Sequence, residues 1–386
     1  MKLIFIVVLA SFLNGCSWIS DYLSGDENIE PPKELVDIKN AIPVTQLWSN
    51  DIGKGSGEQL LRLTPVIQGQ FVYVASRDGQ ISAYQLNDGD LQWAIETKYA
   101  ITAGPAVGAE YILVGTRDAD VIAYQLADGK ELWSVKVSGE VLSVPEMNSD
   151  TAIIRTVDGR ITALNLSNGE KRWDFQNKEP ALTLRGTSKP IIYQDQVISG
   201  FDNGKLYSVS LKDGRQIWSN TVAVPRGRTE LERIVDLDAD PVIANGVVYA
   251  AAYQANIAAI SISQGQLLWQ RDLSSFNGMD ISGEHLFVTD NTSQVWSLHI
   301  NNGASLWRQD AMQHRLLTAP IVHQDYVVVG DFEGYLHWLR KDDGKIVARL
   351  RGDSKGFAVN PVVVGDTLVS LGKSGELTAF RLQSAR

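Results

Sequence analysis

The chain has 386 residues, 44% of them hydrophobic and 21% charged, with 45 acidic against 35 basic side chains and a net charge of −10. Such proportions are those of an ordinary globular protein, and an acidic balance without a lysine or arginine run argues against nucleic acid as a partner. The single cysteine, Cys16, rules out an intrachain disulfide, and its position has to account for it.

Residues 1–15 begin with Lys2, continue as an apolar run from Leu3 to Leu13 and end on a small residue before Cys16. This is the pattern of an export signal, too short to remain as a membrane span. Leu13-Asn14-Gly15-Cys16 resembles the lipobox of bacterial lipoproteins, with Asn14 where alanine or serine is usual. The resemblance implies removal of residues 1–15 and acylation of Cys16, with several acyl chains making a stable anchor. Ser17 follows the cysteine where an aspartate would imply retention at the inner membrane, so an outer-membrane anchor facing the periplasm is implied. Residues 16–40 are polar and acidic, carry Pro31-Pro32 and show no periodicity, and read as a flexible tether.

From Ile42 onward one unit recurs. In Ile81 to Trp93 a strand alternates faces, Asn87-Asp88-Gly89 turns back, and a second strand delivers Trp93. Trp93, Trp133, Trp173, Trp218, Trp269 and Trp307 follow one another at 40, 40, 45, 51 and 38 residues, each with a glycine four positions earlier. A period near 40 built of short strands is that of an all-β propeller with one four-stranded blade per repeat. The seventh unit, Leu336 to Ala348, has lost its terminal tryptophan. The last repeat stops after Glu376 to Leu382 without a fourth strand, whereas Thr45-Gln46-Leu47-Trp48 is a fourth strand without a repeat. Joining the two predicts eight blades over residues 41–386 and removes two free sheet edges. The tryptophans, Trp48 included, are expected to dock between blades with their N–H near a polar partner.

Interruptions of the repeat point to function, because loops on a rigid scaffold carry binding. From tryptophan to the next proline takes 12 residues after Trp93 and Trp133, 13 after Trp307, but 17 after Trp173 and 23 after Trp218. These two long loops are consecutive and must share one rim. The first holds Leu182-Thr183-Leu184-Arg185, whose leucines beside an arginine suit a protein contact; that they fold down onto the blade stays open. The second holds Asp236, Asp238 and Asp240, spaced like the start of a calcium loop, but Pro241 and Val247 stand where glycine and glutamate are needed, and no metal is expected. The histidines at 285, 299, 314, 323 and 337 lack ligand spacing, and neither G-x-S-x-G nor a phosphate loop occurs.

The pattern A-x-x-L-x-x-G-x-x-x-W, seen in Ala83 to Trp93 and Ala123 to Trp133, resembles the repeat of PQQ-type propellers. Dehydrogenases of that type carry an adjacent cysteine pair over the quinone, which one cysteine cannot supply. Lipobox, tether, blades and both long loops are instead similar to the BamB family, lipoproteins of the outer-membrane β-barrel assembly machinery. The resemblance implies a non-enzymatic scaffold without cofactor that binds the POTRA domains of BamA and assists unfolded outer-membrane proteins toward insertion. Its partner-contacting motifs fall here on Leu182, Leu184, Arg185, Asp236 and Asp238. A quinoprotein-like dehydrogenase or ligand-binding propeller of the periplasm is the alternative.

Overall fold

The computed structural model describes residues 30–57, 59, 61–177, 180, 182–183, 186–226, 228–229 and 231–383. Cys16, the signal segment and the first part of the tether lie outside the described residues, as do Leu184 and Arg185.

Eight four-stranded antiparallel sheets form the fold. Blade 1 shows the plan, with strands A to D at Val66–Gln68, Phe71–Ala75, Gln80–Gln85 and Leu91–Glu96. Blades 2 to 7 span 101–136, 146–176, 191–221, 242–272, 279–309 and 321–351. Blade 8 joins Val362–Val364, Thr367–Leu371 and Glu376–Leu382 to the N-terminal strand Val44–Asp51, which pairs with Glu376–Leu382 from Val44↔Leu382 to Asp51↔Glu376. The predicted closure is therefore the one observed. Prolines 65, 145, 190, 241, 320 and 361 stand immediately before an A strand, where no ladder donor is lost; Pro105 lies inside its strand, Ile101–Val107.

B and C strands are buried on both faces, whereas D strands alternate toward solvent, so D forms the outer circumference. A strands face one another around the axis, stitched by bonds such as Gln68 Nε2 to Gly108 O (3.0 Å) and Val322 N to Asp280 Oδ2 (2.7 Å). The apolar core is divided among the joints between neighbouring blades: one cluster unites Val74 and Tyr84 with Val369 and Leu377, another Ile154 and Leu164 with Leu113 and Ala123.

Six of the eight joints share one indole hydrogen bond. Trp48 Nε1 donates to Leu86 O (2.8 Å), Trp133 to Leu166 O (2.9 Å), Trp173 to Leu211 O (2.8 Å), Trp218 to Ile262 O (2.7 Å), Trp269 to Ile300 O (2.9 Å) and Trp307 to Lys341 O (2.6 Å). The ring lies on the turn glycine of the next blade. At Gly214, where φ is +72°, an added Cβ would stand 2.5 Å from Trp173 Cε3. Trp93 also covers its glycine, Gly129, but its N–H makes no such bond, and its ring lines an open groove of about 670 Å³ with Tyr73, Tyr111 and Leu132. At the joint between blades 7 and 8, where the D-strand tryptophan is missing, Trp338 of strand C fills the space, fully buried against Phe380 at 6.1 Å.

Residues 30–40 form no strand and are hydrogen-bonded along blade 7. Lys33 N donates to Gln313 O (3.0 Å), Arg349 Nη1 to Val36 O (2.9 Å), and Asn40 Oδ1 accepts from Arg349 N (2.9 Å). The physical reason is the pair Arg315 and Arg349, whose guanidinium donors find acceptors in the carbonyls of Lys33 and Val36.

Candidate partner-binding face

Antiparallel order places D–A connections and B–C turns on one rim, A–B and C–D turns on the other. Both long loops, 177–190 and 222–241, are D–A connections of adjacent blades and meet side by side. Lys189 N donates to Asp240 Oδ1 (2.7 Å), and Gly186 comes so close that an added Cβ would stand 2.7 Å from the Asp238 carboxyl. Gly200 is equally tight against Leu237, 2.7 Å from a built Cβ. Here glycine is required by close approach of backbone to a neighbouring side chain.

The segment 234–239 is buried throughout. Leu237 and Ala239 point into the clusters between blades 4 and 5 and between blades 5 and 6. Asp236 and Asp238 are buried with them, at 0% and 5% exposure. Burying a carboxylate is costly unless it is bonded, and both of these side chains lie beneath the loop's surface. Tyr253 N donates to Asp236 O (2.9 Å), tying the arm to blade 5. Leu182, in contrast, is 41% exposed, and Val224 in the second loop is 58% exposed. Between Val224 and the buried arm, Thr229 and Glu232 cap the short 3-10 turn Leu231–Arg233. Glu232 Oε2 accepts from Thr229 N (3.2 Å) and Thr229 Oγ1 from Glu232 N (3.2 Å), the reciprocal bonding that fixes the start of a helical turn, and Oε2 also accepts from Arg228 N (2.6 Å). The Arg228 and Thr229 amides hold the Glu232 carboxyl below its usual value.

A third loop completes the face, and the sequence reading passed over it. The D–A connection of blade 8 into blade 1, residues 52–65, runs over the same rim. Its backbone pairs with blade 2, Arg62 N donating to Thr102 O (3.1 Å) and Gly104 N to Arg62 O (2.9 Å). The Arg62 side chain then reaches a loop 176 residues away: Nη2 donates to Asp238 O at 2.8 Å, and Nη1 lies 3.9 Å from Asp240 Oδ2. Since blades 1 and 5 are opposite in a ring of eight, this contact spans the mouth of the central channel. A signal was available, for Trp48 to Pro65 is 17 residues, the same as Trp173 to Pro190.

The residues do not fit a quinone site. The chain has one cysteine, so no adjacent pair can cover the ring. Among the described residues no three histidine, cysteine or acidic side chains come together as a cation site, the Asp236–Asp240 segment included. No described helix is long and apolar enough to cross a membrane.

Comparison with known proteins shows the family and the fold. A family model described as outer membrane protein assembly factor BamB matches residues 77–309 and 295–386. A protein of that name from Alkalilimnicola ehrlichii is 51% identical over 349 residues, 90% of this chain and 91% of the relative. Those from Pseudomonas aeruginosa and Escherichia coli K12 are 44% and 34% identical, with 98% and 95% of both chains covered. In structure, BamB from Moraxella catarrhalis superposes with a TM-score of 0.81 at 23% identity, over 88% of this chain and 100% of that one. Quinohemoprotein alcohol dehydrogenase from Comamonas testosteroni reaches 0.71 at 12% identity, over 90% and 78%, a likeness of fold alone. The chain belongs to the family of outer membrane protein assembly factor BamB.

Proposed function

We propose that this protein is a non-enzymatic scaffold of the outer-membrane β-barrel assembly complex. It is anchored through acylated Cys16 to the periplasmic face of the outer membrane and binds the POTRA domains of BamA through the three-loop rim. In doing so it assists the folding and insertion of outer-membrane proteins. The observation that carries the reading is the arrest of the Asp236–Asp240 arm between Lys189 and Arg62, which fixes a loop face beside exposed Leu182 on an otherwise regular ring. Preorganised loops lose little freedom on association, which is what a scaffold contact requires.

Within this face, Leu182, Leu184 and Arg185 make contact, while Asp236 and Asp238 set the loop's shape. Affinity purification from detergent-solubilised membranes tests the assignment: Leu184→Ala with Arg185→Ala is expected to lose BamA while melting like wild type, and full recovery of BamA refutes it. Cys16→Ser is expected to leave the outer-membrane fraction; a variant still found there, processed as wild type, removes the anchor. Robust dye-linked alcohol oxidation after loading with PQQ and calcium would favour the enzymatic alternative.

A further inference from the structure

The loop rim carries more than the three loops. Five exposed apolar side chains follow one another around it: Val157 in the B–C turn of blade 3, then Leu182, Val224, Phe276 and Leu316 in successive D–A connections from blade 3 to blade 7. Of the other exposed apolar side chains among the described residues, six lie on the outer D strands, Val364 ends an inner strand and Val36 lies in the N-terminal segment. None stands in a turn of the opposite rim. Isolated surface leucines need no explanation, but a one-sided arc does.

Leu316 is the most exposed of the five, at 65%, and the loop around it is built to hold it there. Both Leu316 (φ +49°) and His314 (φ +61°) adopt the left-handed conformation that non-glycine residues avoid. Such strain persists only where the surroundings impose it. Here Arg315 and Leu317 on either side are buried, at 3% and 1%. Arg315 Nε donates to Asp331 Oδ2 (2.9 Å) and its Nη1 to Lys33 O (3.1 Å), while its carbonyl accepts from Phe332 N (3.1 Å). His314 N donates to Thr292 O (2.9 Å). Phe276, in the preceding D–A connection, packs edge-to-face with Tyr253, ring centroids 6.0 Å apart.

We infer that Leu316 and Phe276 form a second contact for the same partner protein that holds Leu182, extending the interface along the rim to blades 6 and 7. The inference rests on the reading above and adds residues that the family motifs do not include. A rigidly presented leucine whose neighbouring Arg315 is buried and paired with Asp331 fits a pocket on a protein rather than an anionic lipid surface, which recruits several exposed lysines or arginines.

Photo-reactive residues placed singly at 182, 276 and 316 in the full chain, and at Asn301 on the opposite rim, test this in native membranes. Adducts from 276 and 316 should fall on the polypeptide captured from 182, with 301 silent. Adducts at 316 with lipid alone, or none while 182 still captures protein, overturn the inference and leave the reading intact. No protein adduct at 182 overturns the reading itself. Leu316→Gly separates contact from folding, because glycine relieves the left-handed backbone. It should melt at or above the wild-type temperature yet bind its partner roughly tenfold more weakly, as loss of one buried leucine implies. Unchanged recovery of the partner overturns the inference.

Discussion

At Gly214 two demands coincide: the turn needs a positive φ, and the Trp173 indole needs a floor without a Cβ. The same pair recurs at Gly265 beneath Trp218 and at Gly344 beneath Trp307. The four-residue spacing between glycine and tryptophan is visible in the sequence because the D strand starting at each turn aims its own indole at the following blade. Gly365 has a positive φ but open space around it. Gly214→Ala is therefore expected to lose roughly 2–4 kcal/mol in urea unfolding, conformational strain plus overpacking, against about 1 kcal/mol for Gly365→Ala. Equal losses would mean that the indole yields and the docking is not tight. What the sequence hides at this scale is direction. Nothing near Asp236 or Asp238 says that their carboxyls lie inward. Arg62 is one arginine among others until the ring brings blades 1 and 5 opposite each other.

Among the elements, blade 7 carries a buried charged cluster and holds the N-terminal segment. His337, fully buried, accepts from Arg349 Nε at Nδ1 (3.2 Å) and faces Asp331 Oδ2 with Nε2 (3.1 Å). Arg315 approaches the same Asp331 oxygen, and Tyr335 packs on the imidazole. Burial, with the charges of Arg349 and Arg315, pushes His337 below the usual histidine value against the pull of Asp331. Burial alone would raise Asp331, but the bonds from His337 and the Tyr335 amide, with Arg315, hold it below the usual carboxylate value.

Both groups thus bind fewer protons folded than unfolded, and stability falls with acidification: first below the ordinary histidine value near 6.5, then further below about 4 as Asp331 protonates. His337→Gln should flatten the loss of melting temperature between pH 7 and 5; an unchanged slope would assign the acid sensitivity elsewhere. The same donors grip residues 30–40, which composition alone assigned to a flexible tether, since acceptor carbonyls leave no mark in a sequence. In the loop face, Arg62→Ala removes a charge-assisted bond worth about 1–2 kcal/mol. Hydrogen exchange of the 234–240 amides should rise while blade 1 stays protected; uniform protection would show the arm to be held without Arg62.

The whole molecule is a ring whose closure was legible from a count: a repeat lacking its last strand and a leading strand lacking its repeat. Eight blades followed because alternation, turn chemistry and spacing all demanded one arrangement. Removing residues 1–51 should expose the edge of Glu376–Leu382 and Trp48's floor at Gly89, giving aggregates by light scattering; a stable monomer would show that closure is dispensable.

This regular ring is expected to work through the rim where its repeat is interrupted. Lysine cross-linking of the purified membrane complex reads both rims at once, since Lys54, Lys98 and Lys355 are exposed on the loop rim and Lys130, Lys212 and Lys345 on the other. Cross-links to BamA should come from the first three and spare the last three. Cross-links concentrated at Lys130, Lys212 and Lys345 would contradict the account.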